Sequence, residues 1–183
     1  GGVSGPVRRL NWACGPRGTP GWFNSDRQPG EGVQHAGDIL HGLPLTAESL
    51  DYAVSIHGLQ DLPVLDLLPA LRELHRVLRP AGVLRVSVPD LDRALRAYLE
   101  RDHAYFYIRD AEAESIGGKF SVQMTWYGSV RSLFTFDFLE ELLRKAGFRE
   151  VRPCGYRQTA SPHPEIVELD NRPRESLFVE GVK

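Results

Sequence analysis

The clearest chemical signal in the sequence is a segment where an apolar strand gives way to a small residue and a glycine. Residues 10–16 read Leu-Asn-Trp-Ala-Cys-Gly-Pro, so the strand breaks at Ala13, Cys14 and Gly15. A glycine there lets the backbone approach a ligand closely. In an open parallel sheet, ligands bind outside the carboxyl ends of the strands. The segment is a candidate ligand-binding loop, although a glycine after a strand is more commonly only a turn.

Two acidic residues follow at the ends of the next two predicted strands. Asp26 closes residues 21–26, and Asp38 closes residues 32–38 and is followed by Ile39. A carboxylate after the second strand can accept hydrogen bonds from both hydroxyls of a ribose. Asp38 and Ile39 would offer an acceptor and an apolar face to an adenine ring. Either acid could instead be a turn residue or a helix cap, but the order of these features favours a nucleoside site.

The elements that must position these residues alternate between short apolar runs and helical patterns, which is typical of an α/β fold with a parallel sheet. Helical spacing predicts three helices, over residues 66–78, 90–101 and 136–146. Thr135 is the predicted N-cap of the last helix and Gly147 its left-handed stop. Strands are predicted at residues 7–13, 21–26, 32–38, 50–56, 83–88, 150–156 and 175–182.

Between residues 102 and 133 this alternation stops and aromatic residues accumulate around Gly117-Gly118. We interpret the segment as an insertion that covers the end of the sheet, within a single domain spanning residues 1–183. Clustered aromatic residues are more commonly a local core than a binding surface. Those that could instead form a substrate-binding lid are Tyr105, Tyr107, Trp126 and Tyr127.

Composition limits the class of protein. With 42% hydrophobic and 25% charged residues and a formal net charge of −2, the 183-residue chain is typical of a globular protein without broad electrostatic affinity for nucleic acid. No apolar run approaches the roughly 20 residues that span a bilayer. The two cysteines, Cys14 and Cys154, form no CxxC pair, and the six histidines lack zinc-type spacing, so we expect no metal. The start at Gly1-Gly2, without a signal sequence, indicates a trimmed N-terminus and a cytoplasmic protein.

Together these segments resemble the class I S-adenosylmethionine-dependent methyltransferases, in particular the small type known as methyltransferase type 11. The family's first strand and GCGP loop are similar to LNWACGP, its second strand to GWFNSD, and the segment that follows to GDILHGLPL. Its fourth and fifth strands, with the helix between them, are similar to LDYAVSIHGLQDL and LRELHRVLRPAGVLRVSVPDL. Its last helix and closing strand are similar to FTFDFLEELLRKAGF and LDNRPRESLFVEGVK. The resemblance covers residues 10–183 and is weakest in the aromatic insertion.

The resemblance implies a Rossmann-like, mostly parallel sheet of seven strands in the order 3-2-1-4-5-7-6, with the last strand antiparallel and helices on both faces. It implies S-adenosylmethionine as the cofactor. The loop at Ala13, Cys14 and Gly15 would face the methionine moiety and ribose. The other implied cofactor contacts are Asp26 to ribose, Asp38 and Ile39 to adenine, and Ser55, Ile56 and His57 on the methionine side.

The sulfonium of this cofactor makes its methyl group electrophilic, so the protein must hold a nucleophile in line at about 3–3.5 Å. A general base is needed only where the nucleophile carries a proton that must leave. His57 is the candidate base because it follows the fourth strand at the carboxyl edge, although a structural histidine is the commoner outcome. Asp61 and Asp90 share that edge, where either could simply cap a helix.

Three departures from the family pattern qualify the prediction. Ala13 stands where a glycine is usual, and Gln60-Asp61 replaces a frequent Glu-His pair. Only 11 positions separate Gly15 from Asp26, against the roughly 20 expected when a helix intervenes. We therefore predict a reduced first crossover helix.

The predicted function is methyl transfer to a small-molecule or sugar-like acceptor. The alternative is a non-catalytic methyltransferase-like domain that binds a partner. A nicotinamide-dependent oxidoreductase is disfavoured because no GxGxxG follows the first strand. We expect neither a nucleic acid nor a membrane as partner, and neither the acceptor nor the oligomeric state can be read from the residues.

Overall fold

The computed structural model describes residues 8–183, which form one seven-stranded sheet. The strands are β1 (Arg9–Trp12), β2 (Phe23–Asp26), β3 (His35–Ala36), β4 (Leu50–Ile56), β5 (Leu78–Pro89), β6 (Arg149–Cys154) and β7 (Ser176–Val182). Their order is β3-β2-β1-β4-β5-β7-β6. The first five are parallel, and β7 lies antiparallel between β5 and β6. The predicted order and direction of the strands are confirmed.

Four α-helices accompany the sheet: α1 (Val64–Val77), α2 (Leu91–Leu99), α3 (Ile116–Thr125) and α4 (Phe136–Ala146). Single turns of 3-10 helix occur at Ile39–His41, Leu59–Asp61, His103–Tyr105, Trp126–Gly128 and Pro164–Val167. Across the described part of the chain, no helix combines the length and the apolar character needed to cross a membrane.

The predicted stop of α4 is confirmed at its C-terminus, whereas the predicted N-cap bond is not formed. Gly147 takes a left-handed conformation with φ of 109° and ends the helix. Thr135 occupies the N-cap position but makes no capping bond to the backbone, because its hydroxyl donates to the Asp137 carboxylate.

Several predicted boundaries shift. Val7, where the first strand was predicted to begin, lies outside the described residues, and Ala13 already belongs to the loop. The third strand shrinks to two residues. No element was assigned within residues 102–133 from the sequence, and α3 lies there. Gly117-Gly118 gives that helix a low intrinsic propensity, which concealed it, and its N-terminus is capped by the Ser115 hydroxyl.

The two faces of the sheet are covered differently. On one face α1 packs beside α4, and their leucines, among them Leu71, Leu74 and Leu139, join the main hydrophobic core. The apolar cluster on the opposite face contains no residue of any of the four α-helices. There the 3-10 turn Pro164–Val167, in the connection between β6 and β7, packs its buried Ile166 against Tyr52 and its neighbours. The first crossover helix was predicted to be reduced, and the β1–β2 connection contains no helix at all.

A buried ion network fixes that connection to the sheet. Arg85 on β5 has no exposed surface, and its guanidinium makes five hydrogen bonds. It donates to both Asp170 carboxylate oxygens, at 2.9 and 2.6 Å, and to Glu180 at 2.7 Å. The remaining bonds go to the carbonyl oxygens of Gly155 and Gln158. All five guanidinium N–H donors are thus used, which satisfies the requirement for burying this charge.

Candidate active site

The loop that follows β1 is built on two left-handed residues. Ala13 has φ of 62° and Gly15 has φ of 82°, so the chain turns sharply out of the strand. The Cys14 N–H donates to the Ser25 carbonyl at 3.1 Å, and the Gly15 N–H donates to Asp26 Oδ1 at 3.0 Å. These bonds tie the loop to the end of β2. A β-carbon added at Gly15 would meet no atom within 4 Å, so the space above this backbone is open to a ligand.

Asp26 lies at the carboxyl end of β2 with acceptor capacity to spare. Its Oδ1 accepts from Gly15 N–H and its Oδ2 from Gln28 N–H, each at 3.0 Å. A carboxylate oxygen has two lone-pair sites, so each oxygen can accept one further hydrogen bond, as two ribose hydroxyls would require. Burial and the charge of Asp26 raise the pKa of the neighbouring Cys14 thiol, which keeps that side chain neutral. The open glycine backbone and the available carboxylate fit the nucleoside part of S-adenosylmethionine.

The β1 loop is in direct contact with the loop that follows β4. A β-carbon placed on Gly58 would overlap the Ala13 β-carbon, and its next neighbour would be Ser55 Oγ at 3.4 Å. Gly58 has φ of −112°, which any residue can adopt. Glycine is therefore needed at position 58 because the Ala13 methyl group occupies the space of a side chain, and not because of the backbone conformation.

This contact makes a prediction about two positions together. We expect Gly58→Ala to destabilise the protein by about 1–3 kcal/mol, the usual cost of overpacking. The double substitution Ala13→Gly/Gly58→Ala should recover most of that loss, because it removes the atom in the way. Urea unfolding of both single variants and the double variant measures the coupling. Strictly additive effects would contradict the contact.

The two predicted adenine contacts have structural roles in the fold. The Asp38 carboxylate accepts from the Leu40 N–H at 2.9 Å and caps the 3-10 turn Ile39–His41. Ile39 is only 3% exposed and its side chain lies in the main core, near α1. The structure thus shows the predicted acceptor occupied by a cap and the predicted apolar face turned into the core. Contact with adenine stays a prediction.

The three residues predicted on the methionine side point in different directions. Ser55 is fully buried and its hydroxyl has no hydrogen-bond partner among the described residues. Ile56 packs against the cluster on the face without α-helices. His57, with φ of 53°, leaves the strand, and its Nε2 lies 2.6 Å from the Ser176 hydroxyl at the start of β7.

A cavity of about 440 Å³ lies beside this point, at the carboxyl ends of β4 and β5. His57, Gln60 and Asp61 line it from the β4 side, and Asp90 lines it from the end of β5. Asp90 also caps α2 by accepting from the Asp92 N–H at 3.0 Å, which is one of the roles predicted for it. The cavity adjoins the β1 loop, because His57 is followed directly by Gly58, the residue that contacts Ala13.

The aromatic segment forms the opposite wall of the cavity. Tyr105, Tyr107 and Trp126 line it, which brings together three of the four residues predicted for a lid. Tyr127 is not in the lining. Its side chain is 61% exposed, and its ring stacks edge-on against Trp126 with centroids 5.4 Å apart.

Burial shapes the protonation of the cavity residues. It lowers the pKa of His57 to about 3, with a further contribution from the Arg172 charge. Burial raises the pKa of the Asp61 carboxyl, and the charge of nearby Asp26 adds to this rise. Tyr105, buried close to Asp90, has its pKa raised to about 12. The imidazole of His57 is therefore neutral at neutral pH. Of the two predicted edge carboxylates, Asp90 caps α2, whereas Asp61 has no capping role among the described residues.

The low pKa of His57 predicts how stability depends on pH. An unfolded histidine binds a proton near pH 6.5, whereas folded His57 resists protonation until about pH 3. Between these two pH values the unfolded state binds more protons than the folded state. The stability that the neutral His57 side chain contributes is therefore lost as pH falls from about 6.5 towards 3. Relative to His57→Gln, the wild-type free energy of unfolding should decline between pH 7 and pH 4.5 in urea titrations. Parallel pH curves for the two proteins would contradict this.

Sequence reasoning missed several cavity residues. Gln123 and Met124 line the cavity from α3, the helix that was not predicted. Arg172 and Glu175 line it just before β7. A signal for this last pair existed: β7 is antiparallel, so its beginning must lie at the carboxyl edge of the parallel strands.

Comparison with known proteins shows similarity to methyltransferases. A family described as "Methyltransferase domain" matches residues 22–86. The demethylmenaquinone methyltransferase of Geobacillus stearothermophilus is 32% identical over 132 residues, which cover 67% of this chain and 53% of the relative. The chain thus spans about half the length of this curated relative.

Two solved structures share the fold over nearly the whole chain. One, from Thermotoga maritima, is described as a SAM-dependent methyltransferase, possible histamine N-methyltransferase. It has a TM-score of 0.54 at 21% identity, covering 99% of this chain and 84% of its own. A SAM-dependent methyltransferase from Archaeoglobus fulgidus has a TM-score of 0.60 at 12% identity, covering 98% and 87%. By sequence segments, strand order and these similarities, the chain belongs to the class I S-adenosylmethionine-dependent methyltransferase family.

Proposed function

We propose that this chain transfers a methyl group from S-adenosylmethionine to a small-molecule acceptor held in the cavity at the ends of β4 and β5. The observation that carries the proposal is the contact between the β1 loop and the loop after β4, which also borders the cavity. The Ala13 methyl group packs against Gly58, and the adjacent His57 lines the cavity. A cofactor on the β1 loop would therefore have its methyl-bearing end directed to the cavity.

In this proposal each cofactor residue has a defined task. Asp26 accepts from the two ribose hydroxyls through the lone pairs left free by Gly15 and Gln28. The backbone of Ala13, Cys14 and Gly15 lies along the ribose and methionine moiety, over the open side of Gly15. When bound, the cofactor supplies a sulfonium-activated methyl group.

The remaining predicted contacts rest on the backbone and on position along the chain. Asp38 and Ile39 would approach adenine through their backbone, because their side chains are engaged in a cap and in the core. Ser55, Ile56 and His57 would border the methionine moiety by virtue of their position after β4.

The cavity residues position the acceptor and exclude water. Residues 102–133 serve as the lid, with Tyr105, Tyr107 and Trp126 against the acceptor and Tyr127 supporting Trp126 from outside. With a pKa of about 3, His57 acts as a neutral hydrogen-bonding group at the wall and not as a strong base. Asp61 is the carboxylate available to take a proton from the acceptor.

Isothermal titration calorimetry with S-adenosylmethionine and S-adenosylhomocysteine tests the proposal. We expect one binding site per chain for each compound, and formation of S-adenosylhomocysteine when a suitable acceptor is added. Failure of both compounds to bind would contradict the proposal.

A non-catalytic binding domain is the second candidate, and the absence of a helix between β1 and β2 favours it, because that helix would otherwise help to enclose the cofactor. Binding of S-adenosylhomocysteine together with turnover on any acceptor excludes it. Binding without turnover across amine, phenol and carboxylate acceptors supports it.

A further inference from the structure

We propose that the cavity at the ends of β4 and β5 selects a small amine carrying an apolar group. The proposal names the acceptor class for the methyl transfer proposed above and rests on that function for the transfer step. The preference of the cavity for an amine rests on the cavity alone.

The charged groups of the cavity leave one carboxylate without a partner. Three carboxylates line it, those of Asp61, Asp90 and Glu175, against the single guanidinium of Arg172 among the described residues. Arg172 Nε lies 3.8 Å from Glu175 Oε1, so these two charges offset each other. Asp90 is engaged by backbone N–H groups at the start of α2 and lies 3.7 Å from the Arg93 guanidinium.

Asp61 has no such partner. Within residues 8–183 its carboxylate forms neither a hydrogen bond nor an ion pair. Burial raises the pKa of the Asp61 carboxyl, and the nearby charge of Asp26 adds to this rise. An ammonium or amine is the group that a solitary carboxylate in a cavity pairs with most favourably.

The neighbouring Gln60 side chain carries an unpaired oxygen beneath the cavity wall. Gln60 lines the cavity and is only 6% exposed. Its Nε2 donates to the His57 carbonyl at 2.8 Å, whereas its Oε1 accepts no hydrogen bond. An unpaired buried carbonyl oxygen costs stability and carries a partial negative charge. Because Gln60 Oε1 is shielded from solvent, the acceptor that this side of the cavity presents is the Asp61 carboxylate, and its complement is a ligand that donates hydrogen bonds.

The aromatic wall suits the same ligand class. Tyr105, Tyr107 and Trp126 offer apolar surface to the body of the ligand and electron-rich ring faces to its positive charge. One of these rings already binds a cation, since the Arg174 guanidinium lies 4.1 Å from the centroid of the Tyr107 ring. The faces of Tyr105 and Trp126 carry no such cation among the described residues.

Methyl transfer requires the ammonium to lose a proton first, because only the neutral amine has a nitrogen lone pair. Asp61 can accept that proton, and the released proton passes from it to solvent. The nitrogen lone pair then forms the N–CH3 bond while the S–CH3 bond breaks, with its electron pair remaining on the sulfur of a neutral thioether. The second proton on nitrogen is released after transfer, so charge and atoms balance without a further reactant.

The test uses three probes of nearly equal size: phenethylamine, 2-phenylethanol and 3-phenylpropionate. Their binding to the whole chain is measured at pH 7 by calorimetry, with and without saturating S-adenosylhomocysteine. We expect phenethylamine to bind at least tenfold more tightly than the alcohol, and the carboxylate to bind most weakly.

Variants assign the preference to the cavity. Asp61→Asn should weaken phenethylamine binding about tenfold and leave 2-phenylethanol and S-adenosylhomocysteine binding within twofold. The matched control is Glu100→Gln, which removes one exposed carboxylate outside the cavity lining and outside residues 102–133 and should leave the affinities for phenethylamine, 2-phenylethanol and S-adenosylhomocysteine unchanged.

The outcomes separate this inference from the proposed function. If phenethylamine and the alcohol bind equally, if the carboxylate binds most tightly, or if no probe binds, the amine inference is overturned. S-adenosylhomocysteine binding in those cases would leave the proposed methyl transfer in place. Preferential amine binding that is lost in Asp61→Asn, without any S-adenosylhomocysteine binding, would support the amine site and overturn methyl transfer.

Discussion

Replacing Asp26 with alanine is expected to reduce the affinity for S-adenosylhomocysteine about 100-fold. A hydrogen bond to a charged group contributes roughly 1.5–3 kcal/mol, and two ribose hydroxyls would lose theirs together. About 3 kcal/mol corresponds to about two powers of ten in the dissociation constant. Calorimetric titration of wild type and variant measures the loss.

Asp26 also holds the β1 loop through Gly15 and Gln28, so the loop role must be separated from the binding role. Asp26→Asn keeps one acceptor oxygen for Gly15 and should retain the melting temperature better than Asp26→Ala while still losing at least tenfold in affinity. Glu100→Gln again serves as the control for removal of an exposed carboxylate. Affinities within threefold of wild type for both Asp26 variants would remove this residue from the cofactor site.

Replacing Arg85 with methionine is expected to lower the free energy of unfolding by about 3–5 kcal/mol, the usual cost of breaking a buried ion pair by removing one partner. The stability falls because the Asp170 and Glu180 side chains, which are 0% and 4% exposed, would be left as buried carboxylates without a counter-ion. Urea unfolding measures the change.

Two further variants make the Arg85 prediction specific. Arg144→Met breaks the exposed i,i+4 pair with Glu140 on α4 and should cost less than about 1 kcal/mol. The triple variant Arg85→Met/Asp170→Asn/Glu180→Gln removes all three charges and should recover part of the loss. A cost below 1 kcal/mol for Arg85→Met alone would show that the network does not hold the β6–β7 connection.

The Arg85 ion network also bears on the cavity. Arg172 and Glu175 lie only a few positions beyond Asp170, at the end of the connection that Arg85 fixes to the sheet. The face that carries no α-helix is therefore stabilised by a charge network, and the same segment supplies one wall of the proposed acceptor site.

Much of the fold could be predicted because its signals are local. The bounds of β4 and α4 were predicted correctly, since an uninterrupted apolar run and a repeating leucine stripe, ended by Gly147, depend only on neighbouring residues. The strand order followed from the resemblance of successive segments to one family. The missing crossover helix followed from counting residues between Gly15 and Asp26.

The local features of the β1 loop could also be anticipated, but its backbone and side-chain details could not. The turn at Ala13, Cys14 and Gly15 and the position of Asp26 after β2 follow from adjacent residues, whereas the left-handed conformation of Ala13 was not predicted. The burial of Ile39 and the use of Asp38 as a cap depend on how the following turn packs against α1.

The sequence by itself determined the sheet, its order and the edge at which chemistry can occur, because strand patterns and turns are properties of short segments. Only the tertiary structure decided which side chains meet at that edge. It brought Glu175 and Asp61 to the lining of one cavity, left Tyr127 outside that lining and buried Arg85 against Asp170. These pairs are far apart along the chain, and their contacts depend on how every intervening element packs.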